Sequence, residues 1–384
     1  MSTVRFVEAQ RGLNRWMSGW PPVRANWPEM NSRLPVTLIM VRQGRGLHTK
    51  EPTMPGSVTS AFSEPEDFEA ALRAEGYRSL LIIGRGRFHA RLTQITLPIL
   101  HLSTTEENLS RIALLSVPAD IVQIIFPTAA FPLATFGGIA ARSGEILTIS
   151  PNEQVYARTI GPSETATIWL PVKELARYGG ALTGAPLTVP SAVQRWRPSA
   201  QARRRLRSLH AAATRMAANN PLAVVDAEAA HGLEQQLIHA IVECMVDKPA
   251  DADHRSERRH SDAMTRFAQL LQARPGRSIP IAEICTALGL SQRLLRGLCA
   301  KHLGMGPVAY DRLRRMALVR RALRRGEGAA VGVAEVARRY SFRSPGRFAV
   351  RYRAAFGESP SATVRRFLES DGKENASAPL LPAG

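Results

Sequence analysis

The sequence predicts an α+β fold in which a β-rich N-terminal part precedes an all-helical C-terminal part. Short runs of β-branched and aromatic residues recur over residues 37–170 between turn signals. Two long segments, 201–219 and 226–247, then have helix-forming composition and apolar residues three or four positions apart. The last third is basic and shows the same helical spacing. At 384 residues the chain is long enough for two folded domains with a connector.

Six segments indicate strands in the N-terminal part. They are TLIMV at 37–41, LLII at 80–83, FHARLTQITLPILHL at 88–102, ADIVQIIF at 119–126, EILTI at 145–149 and TATIWL at 165–170. Gly-Gly at 137–138 and the segments at 143–144 and 150–152 are plausible turns between them. Many short strands at this spacing are typical of a sandwich or a barrel. Residues 1–36 show no periodicity and are predicted to form an irregular arm.

The second helical segment places an apolar residue at every fourth position, at Leu233, Leu237, Ile241 and Met245. Such a stripe most often packs into the core of its own chain, and a homodimer contact is the alternative. Residues 248–260 are polar without an apolar period, which indicates a linker. The domain boundaries predicted from these changes are listed here: a regulatory domain at 1–200, a helical segment and linker at 201–260, a basic domain at 261–368 and a disordered tail at 369–384.

The positive charge of the chain is concentrated in one region. There are 51 Lys and Arg against 32 Asp and Glu, a formal net charge of +19, and residues 255–370 hold 24 of the basic residues but only 8 of the acidic ones. Clustering of this kind is expected of a domain that binds the phosphate backbone of nucleic acid. Arginine-rich but merely solvated helix faces are the alternative.

The sequence contains no recognisable catalytic or metal-binding motif. His89 and His101 lie twelve residues apart without a third ligand, and Cys244, Cys285 and Cys299 form no Cys-x-x-Cys pair. No phosphate-binding glycine loop or nucleophile elbow occurs. We therefore expect no catalytic residues, no metal and no cofactor. Neither a signal peptide nor eighteen consecutive apolar residues are present, so a cytoplasmic protein without a membrane contact is expected.

An internal repeat lies within the basic region. Ile281–Glu283–Ile284 corresponds to Val333–Glu335–Val336 at an offset of 52 residues. Beyond a turn the offset becomes 53, and the matched pairs are Leu295 with Phe348, Cys299 with Tyr352, Gly304 with Gly357 and Pro307 with Pro360. Self-similarity at a fixed spacing indicates a duplicated structural unit.

Each copy has the pattern of a helix-turn-helix unit, in which a short helix and a turn precede a second helix that can enter the major groove. In the first copy Gly289 suits the turn, Ser291 is a predicted N-cap, and Leu294, Leu295 and Leu298 are predicted to anchor the second helix. In the second copy Ser344 is the predicted N-cap. Nine side chains are predicted to bind DNA: Gln292, Arg293, Arg296, Lys301, Arg343, Ser344, Arg347, Arg351 and Arg353.

A basic helix is predicted to join the two units over residues 309–325. It carries Leu313, Met316, Val319 and Leu323 on one side and many arginines on the others. Among these arginines, Arg314 and Arg321 are predicted to contact phosphates. A rigid helix would hold the two units at a fixed separation, so both could enter successive major grooves.

Over about residues 262–368 the chain resembles the AraC/XylS family of bacterial transcriptional regulators. The resemblance depends on Ala-Leu-Gly-Leu-Ser at 287–291, Gly-Met-Gly-Pro at 304–307 with Tyr310, Arg315-Met316 with Val319 and Leu323 in the linker helix, and Val336-Ala337, Phe342, Phe348, Phe356-Gly357 and Pro360 in the second copy. The sequence departs from the family pattern at Gly297, at Cys299, where an aromatic residue is usual, and at Ser341, where glycine is usual.

The resemblance implies a fold and a function. It implies an N-terminal cupin-like β-barrel with helices that binds an effector, a small molecule or a protein that the sequence does not identify, and a C-terminal double helix-turn-helix domain. It also implies a sequence-specific regulator of transcription, expected to be an activator, whose partners are double-stranded promoter DNA, RNA polymerase and a second copy in a homodimer. The alternative function is a nucleic-acid-binding or architectural protein without sequence preference, although the aromatic residues of 340–356 have core spacing and form no stacking array.

Overall fold

The computed structural model describes residues 55–128, 134–184, 187, 193–219, 226–246 and 254–376. In these residues the N-terminal part forms two antiparallel β-sheets and the C-terminal part is helical, so the predicted α+β fold class is confirmed. The predicted arm at 1–36 and the predicted strand at 37–41 lie outside the described residues.

The larger sheet has seven strands in the order β1-β3-β4-β11-β6-β9-β12. Their bounds are Gly56–Phe62 (β1), Ala90–Thr96 (β3), His101–Glu107 (β4), Ser163–Pro171 (β11), Ile121–Pro127 (β6), Ile146–Ile149 (β9) and Gln194–Trp196 (β12). The predicted strand at 88–102 is in fact two strands, because a turn closed by a hydrogen bond from Leu97 N to Leu100 O (2.8 Å) separates β3 from β4.

The smaller sheet has five strands in the order β2-β5-β10-β7-β8. Their bounds are Tyr77–Ile82 (β2), Arg111–Ser116 (β5), Gln154–Arg158 (β10), Ala134–Phe136 (β7) and Ile139–Ala141 (β8). In both sheets the order runs from one edge strand to the other, and no pairing between described strands joins the two edges. The described strands therefore form two open sheets instead of the closed barrel that the family resemblance implied.

The two sheets pack face to face, and strand β6 shows how the sequence achieves this. Val122, Ile124 and Phe126 point to one face of the larger sheet, whereas Ile121 and Ile125 point to the other, between the sheets. Because both faces are buried, the strand lacks the usual alternation of apolar and polar residues, and its polar residue Gln123 is buried as well.

Three helices cover the outer face of the larger sheet or its margin: α2 (Val172–Thr183), α3 (Ala200–Asn219) and α4 (Ala227–Met245). The apolar stripe of α4 lies in this core, since Leu233, Leu237, Ile241 and Met245 are at most 2% exposed. The stripe is therefore a core face of its own chain, and it is not available for the homodimer contact considered from the sequence.

Helix α1 (Pro65–Leu72) lies between β1 and β2, and the described part of the C-terminal domain consists of eight further helices. These are α5 (His254–Ala273), α6 (Ile281–Leu288), α7 (Gln292–Leu303), α8 (Pro307–Arg324), α9 (Glu327–Val331), α10 (Val333–Arg339), α11 (Pro345–Phe356) and α12 (Pro360–Ala376). The predicted linker at 248–260 is already helical from His254, and the predicted disordered tail at 369–384 is helical as far as Ala376. No described helix is long and apolar enough to span a lipid bilayer.

The outer face of the smaller sheet is covered by the C-terminal domain. Leu81, Ile112, Leu114 and Tyr156 project from β2, β5 and β10 into the same apolar cluster as the residues of α5 to α8. The structure is thus a stack of layers, in which helices α3 and α4, the larger sheet, the smaller sheet and the first half of the C-terminal domain follow one another.

Candidate nucleic-acid interface

The first repeat forms a helix-turn-helix unit from α6 and α7. Helix α6 ends at Gly289, which has the left-handed conformation (φ 66°) that glycine adopts without steric cost. Ser291 then caps α7, since its side chain accepts a hydrogen bond from Leu294 N at 3.2 Å. The predicted turn and N-cap of the first unit are both present in the structure.

The second repeat forms the corresponding unit from α10 and α11, but its turn is held differently. Ser341 takes the position of the turn glycine with φ 64°. Its hydroxyl donates to Gly276 O (2.9 Å) and accepts from Ser278 N (3.3 Å), both in the loop between α5 and α6. Ser344 lies at the N-cap position of α11, yet its side chain makes no capping hydrogen bond. Side-chain contacts outside the unit thus offset the strain of a non-glycine residue at this position.

All nine side chains predicted to bind DNA are exposed. Gln292, Arg293 and Arg296 occupy the first half of α7, and Arg347, Arg351 and Arg353 occupy α11. Arg343 and Ser344 precede α11, so they lie at the positive end of its dipole, which favours an anion such as phosphate. These side chains are thus exposed on, or directly before, the second helix of each unit, and their contacts to DNA stay a prediction.

Lys301 is set apart from the others by its surroundings. It lies in the last turn of α7, and a Cβ added to Gly138 in the turn between β7 and β8 would be 3.1 Å from Lys301 Cε. Gly138 has φ 77°, so this tight turn of the N-terminal domain approaches α7 closely. Lys301 therefore faces the N-terminal domain, and a DNA contact at Lys301 would be at the edge of the interface.

The packing of α7 corrects one prediction about its core. Leu295 and Leu298 are buried at 0% and 3% exposure, but Leu294 is 42% exposed. Leu294 is therefore exposed and does not anchor the helix, contrary to the prediction from the sequence.

Helix α8 connects the two units and is fixed to the second. Arg315 is buried, where its Nε donates to Asp311 Oδ2 (2.9 Å) and its Nη1 to Tyr340 O (2.9 Å). Its guanidinium also lies over the ring of Phe342, 4.9 Å from the centroid. Arg315 thus joins the linker helix to the turn of the second unit, consistent with the rigid connection predicted from the sequence.

Other arginines of α8 contact the N-terminal domain instead of solvent. Arg321 pairs with Glu69 of α1, and Arg324 Nη1 lies 2.5 Å from both Glu64 and Glu66 carboxylates. Burial alone would lower the pKa of Arg324, but the carboxylates of Glu66 and Glu64 raise it above the ordinary value. The prediction that Arg321 contacts phosphate is therefore wrong for this conformation.

Arg314 is also occupied. Its Nη2 donates to Asp311 Oδ1 at 3.2 Å, and its side chain is 13% exposed. Like Arg321, it is held by a carboxylate of the protein and is not presented to DNA in this conformation. Arg320 adds to the same contact as Arg321 and Arg324, since its Nη1 lies 3.0 Å from Glu66 Oε1. We call this group, Glu64, Glu66 and Glu69 with Arg320, Arg321 and Arg324, the ionic contact.

The apolar core of the first unit includes a side chain from the N-terminal domain. Tyr156 of β10 is 2% exposed and meets Tyr310 of α8 edge-on, with ring centroids 5.5 Å apart. Cys299 lies in the same cluster at 0% exposure, and burial raises the pKa of its thiol to about 12, so the thiol is protonated and unreactive. A small residue at 299 is compatible with an aromatic ring supplied from outside the unit.

A buried histidine lies at the same boundary. His302 is 1% exposed, and neither ring nitrogen has a hydrogen-bond partner among the described residues. Burial, and to a lesser extent the neighbouring Lys301 and His260, lowers the pKa of His302 to about 4, so its ring is neutral near pH 7. His101, which was considered as a metal ligand, is instead paired with Glu75, at 2.7 Å between Nε2 and Oε1.

Sequence reasoning missed the residues that join the two domains. Glu64, Glu66 and Glu69 belong to the acidic segment PEDFEAAL and its neighbour, and this segment is a local exception in a basic chain. This local acidity could have indicated a contact with the basic domain. Nothing in the sequence indicated that Tyr156 contacts that domain. It lies in a short strand, and the outward face of a sheet is usually polar because it meets solvent.

Two helix-turn-helix units joined by a helix, each with exposed basic residues on its second helix, define a double helix-turn-helix DNA-binding domain. A family model described as a helix-turn-helix domain matches residues 284–366. The match places this domain in the AraC type, as the resemblance to the AraC/XylS family predicted.

Curated relatives match over the same region. Over 101 residues the chain is 35% identical to the XylDLEGF operon transcriptional activator of Pseudomonas putida, which corresponds to 26% of this chain and 32% of the relative. It is also 35% identical over 95 residues to the probable thc operon regulatory protein of Rhodococcus erythropolis, covering 25% of this chain and 29% of the relative. The chain thus spans about a third of the length of these relatives.

Two solved structures resemble the chain at low identity. The AraC-like transcriptional activator CuxR shares 17% identity with a TM-score of 0.38, and the match covers 68% of this chain and 94% of CuxR. ToxT from Vibrio cholerae, bound to (E)-4-(8-methylnaphthalen-1-yl)but-3-enoic acid, shares 10% identity with a TM-score of 0.26, covering 82% of this chain and 100% of ToxT.

Proposed function

We propose that the protein is a sequence-specific regulator of transcription that binds double-stranded promoter DNA in the cytoplasm. The observation that carries this proposal is the exposure of basic and polar side chains on the second helix of both units. Such helices contact base edges in the major groove, and the surrounding cations contact phosphates. No catalytic role is proposed for any residue.

Each exposed side chain has a role that follows from its chemistry and position. Arg293, Arg296, Arg347 and Arg351 are candidates for bidentate contacts to guanine, and Gln292 can pair with adenine in the same way. The remaining predicted residues contact the backbone, and they are Lys301, Arg343, Ser344 and Arg353. Base contacts supply sequence preference, whereas backbone contacts supply affinity that depends on salt.

Activation is the direction of control that we propose, with RNA polymerase as the protein partner. Support comes from the relatives described as transcriptional activators, which match this chain over the DNA-binding domain. A reporter gene placed behind a bound site distinguishes the directions, because an activator raises its expression when the protein is supplied. Lowered expression would make the protein a repressor.

The first experiment is selection of bound sequences from a random pool of double-stranded DNA, followed by footprinting with the full-length protein. Two recognition helices require a discrete protected site of about 17–20 bp. Equal protection of all sequences would contradict the proposal and favour the alternative function, a nucleic-acid-binding protein without sequence preference.

Single substitutions then test the roles of the two recognition helices. We expect Arg293→Ala and Arg347→Ala each to relax base preference at one position and to weaken binding about 10- to 100-fold. Arg204→Ala is the matched control, because Arg204 is exposed on α3 and loses the same charge outside the DNA-binding domain. Equal losses from all three variants would show that charge alone determines binding.

The N-terminal domain is proposed to control DNA binding through the ionic contact. Arg320, Arg321 and Arg324 are neutralised by α1 in this conformation. A cleft of about 640 Å³ adjoins this contact, lined in part by Arg85, Phe88, Arg320 and Phe356. An effector that enters the cleft and separates α1 from α8 frees these arginines for phosphate, so binding of the effector and of DNA are coupled.

The control proposal is tested by neutralising two acids of α1. In Glu66→Gln/Glu69→Gln, DNA affinity is expected to rise several-fold at low salt, with a steeper dependence on salt because more cations reach phosphate. Glu164→Gln/Glu174→Gln gives the same change of net charge away from α8. If both double variants bind DNA alike, the ionic contact does not control binding.

A further inference from the structure

Two exposed apolar side chains lie on the recognition helices. Val350 of α11 is 72% exposed and Leu294 of α7 is 42% exposed. Among the described residues, Val350 is the most exposed of the large hydrophobic side chains. It lies one helical turn from both Arg347 and Arg353, and Leu294 directly follows Arg293, which is also exposed. Apolar side chains therefore occur on the faces where the cations are exposed.

Each of these side chains has a glycine one helical turn away. Gly297 follows Leu294 by three residues, and Gly346 precedes Val350 by four. A Cβ added to either glycine would meet nothing within 4 Å, and neither glycine has a positive φ. Neither the backbone conformation nor the packing within the chain requires glycine here, although glycine within a helix costs up to about 1 kcal/mol relative to alanine.

An apolar side chain beside a gap matches one chemical group of the major groove, the 5-methyl group of thymine. That methyl is the apolar group that base pairs present in this groove, and apolar side chains contact it. The gap left by glycine allows the base edge to approach the helix closely. We infer that Val350 and Leu294 are specificity-determining residues that contact thymine 5-methyl groups, one in each half of the DNA site.

The surrounding charge favours DNA over a protein as the occupant of these faces. Val350 is surrounded by three exposed arginines, Arg347, Arg351 and Arg353. A partner that binds this face must therefore carry negative charge around a single apolar group. Double-stranded DNA satisfies both requirements through its phosphates and thymine methyls. RNA satisfies only the first, because uracil lacks the 5-methyl group.

The inference rests on the proposed DNA-binding function and is tested on a site selected from a random pool of double-stranded DNA. Each thymine of that site is replaced in turn by deoxyuridine, which removes only the methyl group. At one thymine or more in each half-site, we expect affinity for the full-length protein to fall about fourfold, the value of one buried methyl-sized group. In the Val350→Ser variant, deoxyuridine is expected to lose its effect on affinity in one half-site only. In the Leu294→Ser variant, it is expected to lose its effect in the other half-site only.

Val308→Ser is the matched control, because Val308 is 46% exposed in the first turn of α8 and undergoes the same chemical change. This variant is expected to retain the full deoxyuridine penalty in both half-sites. A selected site without any deoxyuridine penalty, or with penalties unchanged in Val350→Ser and Leu294→Ser, overturns the inference while the proposed function stands. Failure to select any site overturns both.

A glycine variant provides a second measurement. Gly346→Ala fills the gap beside Val350 and adds helix propensity, so the protein is expected to unfold at an equal or higher temperature. The same variant is expected to bind the selected site at least fourfold more weakly, because the added methyl keeps the base edge away from the helix. Unchanged DNA affinity in a stabilised Gly346→Ala contradicts the close approach.

Discussion

The two helix-turn-helix units share a sequence pattern but differ in what completes their cores. The second unit is closed by its own aromatic residues, with Phe348 and Tyr352 5.5 Å apart and Tyr352 and Phe356 4.7 Å apart between ring centroids. In the first unit the position of Tyr352 is taken by the small Cys299, and Tyr156 of the N-terminal domain enters the same cluster. The comparison shows that one repeat folds around its own residues while the other shares its core with the N-terminal domain.

Removal of the shared aromatic side chain is expected to have the largest effect. Tyr156→Ala should lower the free energy of unfolding by about 3–5 kcal/mol, because it leaves a cavity between β10 and α8. The loss should be confined to the first unit, so hydrogen exchange should accelerate in α7 and not in α11. Equal acceleration in both helices would mean that the two units unfold together and that the difference between their cores has no energetic consequence.

Replacement of Tyr352 by cysteine, the residue that the first unit has at the matching position, should lower the free energy of unfolding nearly as much. Tyr352→Cys removes a fully buried ring and its hydrogen bond to Thr363 (2.9 Å), and among the described residues the apolar cluster around this ring contains none from the N-terminal domain. We expect a loss of about 3 kcal/mol by chemical denaturation. Tyr340→Cys is a milder control, because Tyr340 is only partly buried in the same cluster. A loss below 1 kcal/mol for Tyr352→Cys would show that the second core also tolerates a small residue.

Acidification should distinguish the units as well, because His302 belongs to the first. Its pKa of about 4 in the folded protein lies below the ordinary value of about 6.5. Between these values the unfolded chain binds a proton that the folded chain does not, so stability falls as the pH falls from 6.5 to 4, by at most about 3 kcal/mol. His210 is buried in α3 of the N-terminal domain, edge-on against Phe126, and its pKa of about 4 adds a fall of the same sign that belongs to neither unit.

The contribution of His302 is isolated by substitution. His302→Gln should reduce the dependence of melting temperature on pH over this range, whereas His89→Gln, at an exposed position, should leave it unchanged. An identical pH dependence in wild type and His302→Gln would show that protonation of His302 does not oppose folding.

The smallest expected effect concerns the turn of the second unit. Ser341→Ala keeps the positive φ but removes both hydrogen bonds to the loop between α5 and α6, so it should destabilise by about 1–2 kcal/mol. Ser341→Gly removes the same bonds and relieves the backbone strain, so it should cost less than Ser341→Ala. The order of the two melting temperatures is the measurement, and the reverse order would contradict this account of the turn.

Local patterns predicted much of the DNA-binding domain, because its signals are local. Gly289 and Ser291 are separated by one residue, and each acts on the backbone next to it. The adjacent Leu294 and Leu295 show the limit of such reasoning: helical spacing alone did not decide which leucine is buried, and only the packing of α7 on its neighbours selects Leu295. The exposed side chains of the recognition helices were predicted correctly as exposed, while their contacts to DNA remain predictions.

Contacts between distant segments could not be predicted in this way. Glu69 and Arg321 are 252 positions apart, and Tyr156 and Tyr310 are 154 apart, so no periodicity relates them. The short strands β7, β8 and β12 were missed for a similar reason, since three residues are too few for an alternation to be visible. The open sheets also differ from the barrel that the family resemblance implied. Whether a sheet closes depends on pairing between its two edge strands, and the sequence of a single strand does not show which strand it pairs with.

The hydroxyl of Ser341 has a consequence for the length of the DNA site. This hydroxyl attaches the turn of the second unit to the loop that precedes the first, and Arg315 attaches the same turn to the linker helix α8. Two units fixed to each other in this way cannot rotate independently around the DNA axis. Insertion of a single base pair between the two half-sites turns one by about 34° relative to the other, since B-DNA has 10–10.5 bp per turn. For the proposed promoter site we therefore expect one permitted spacing between the half-sites, and a change of spacing should weaken binding as much as the loss of a base contact.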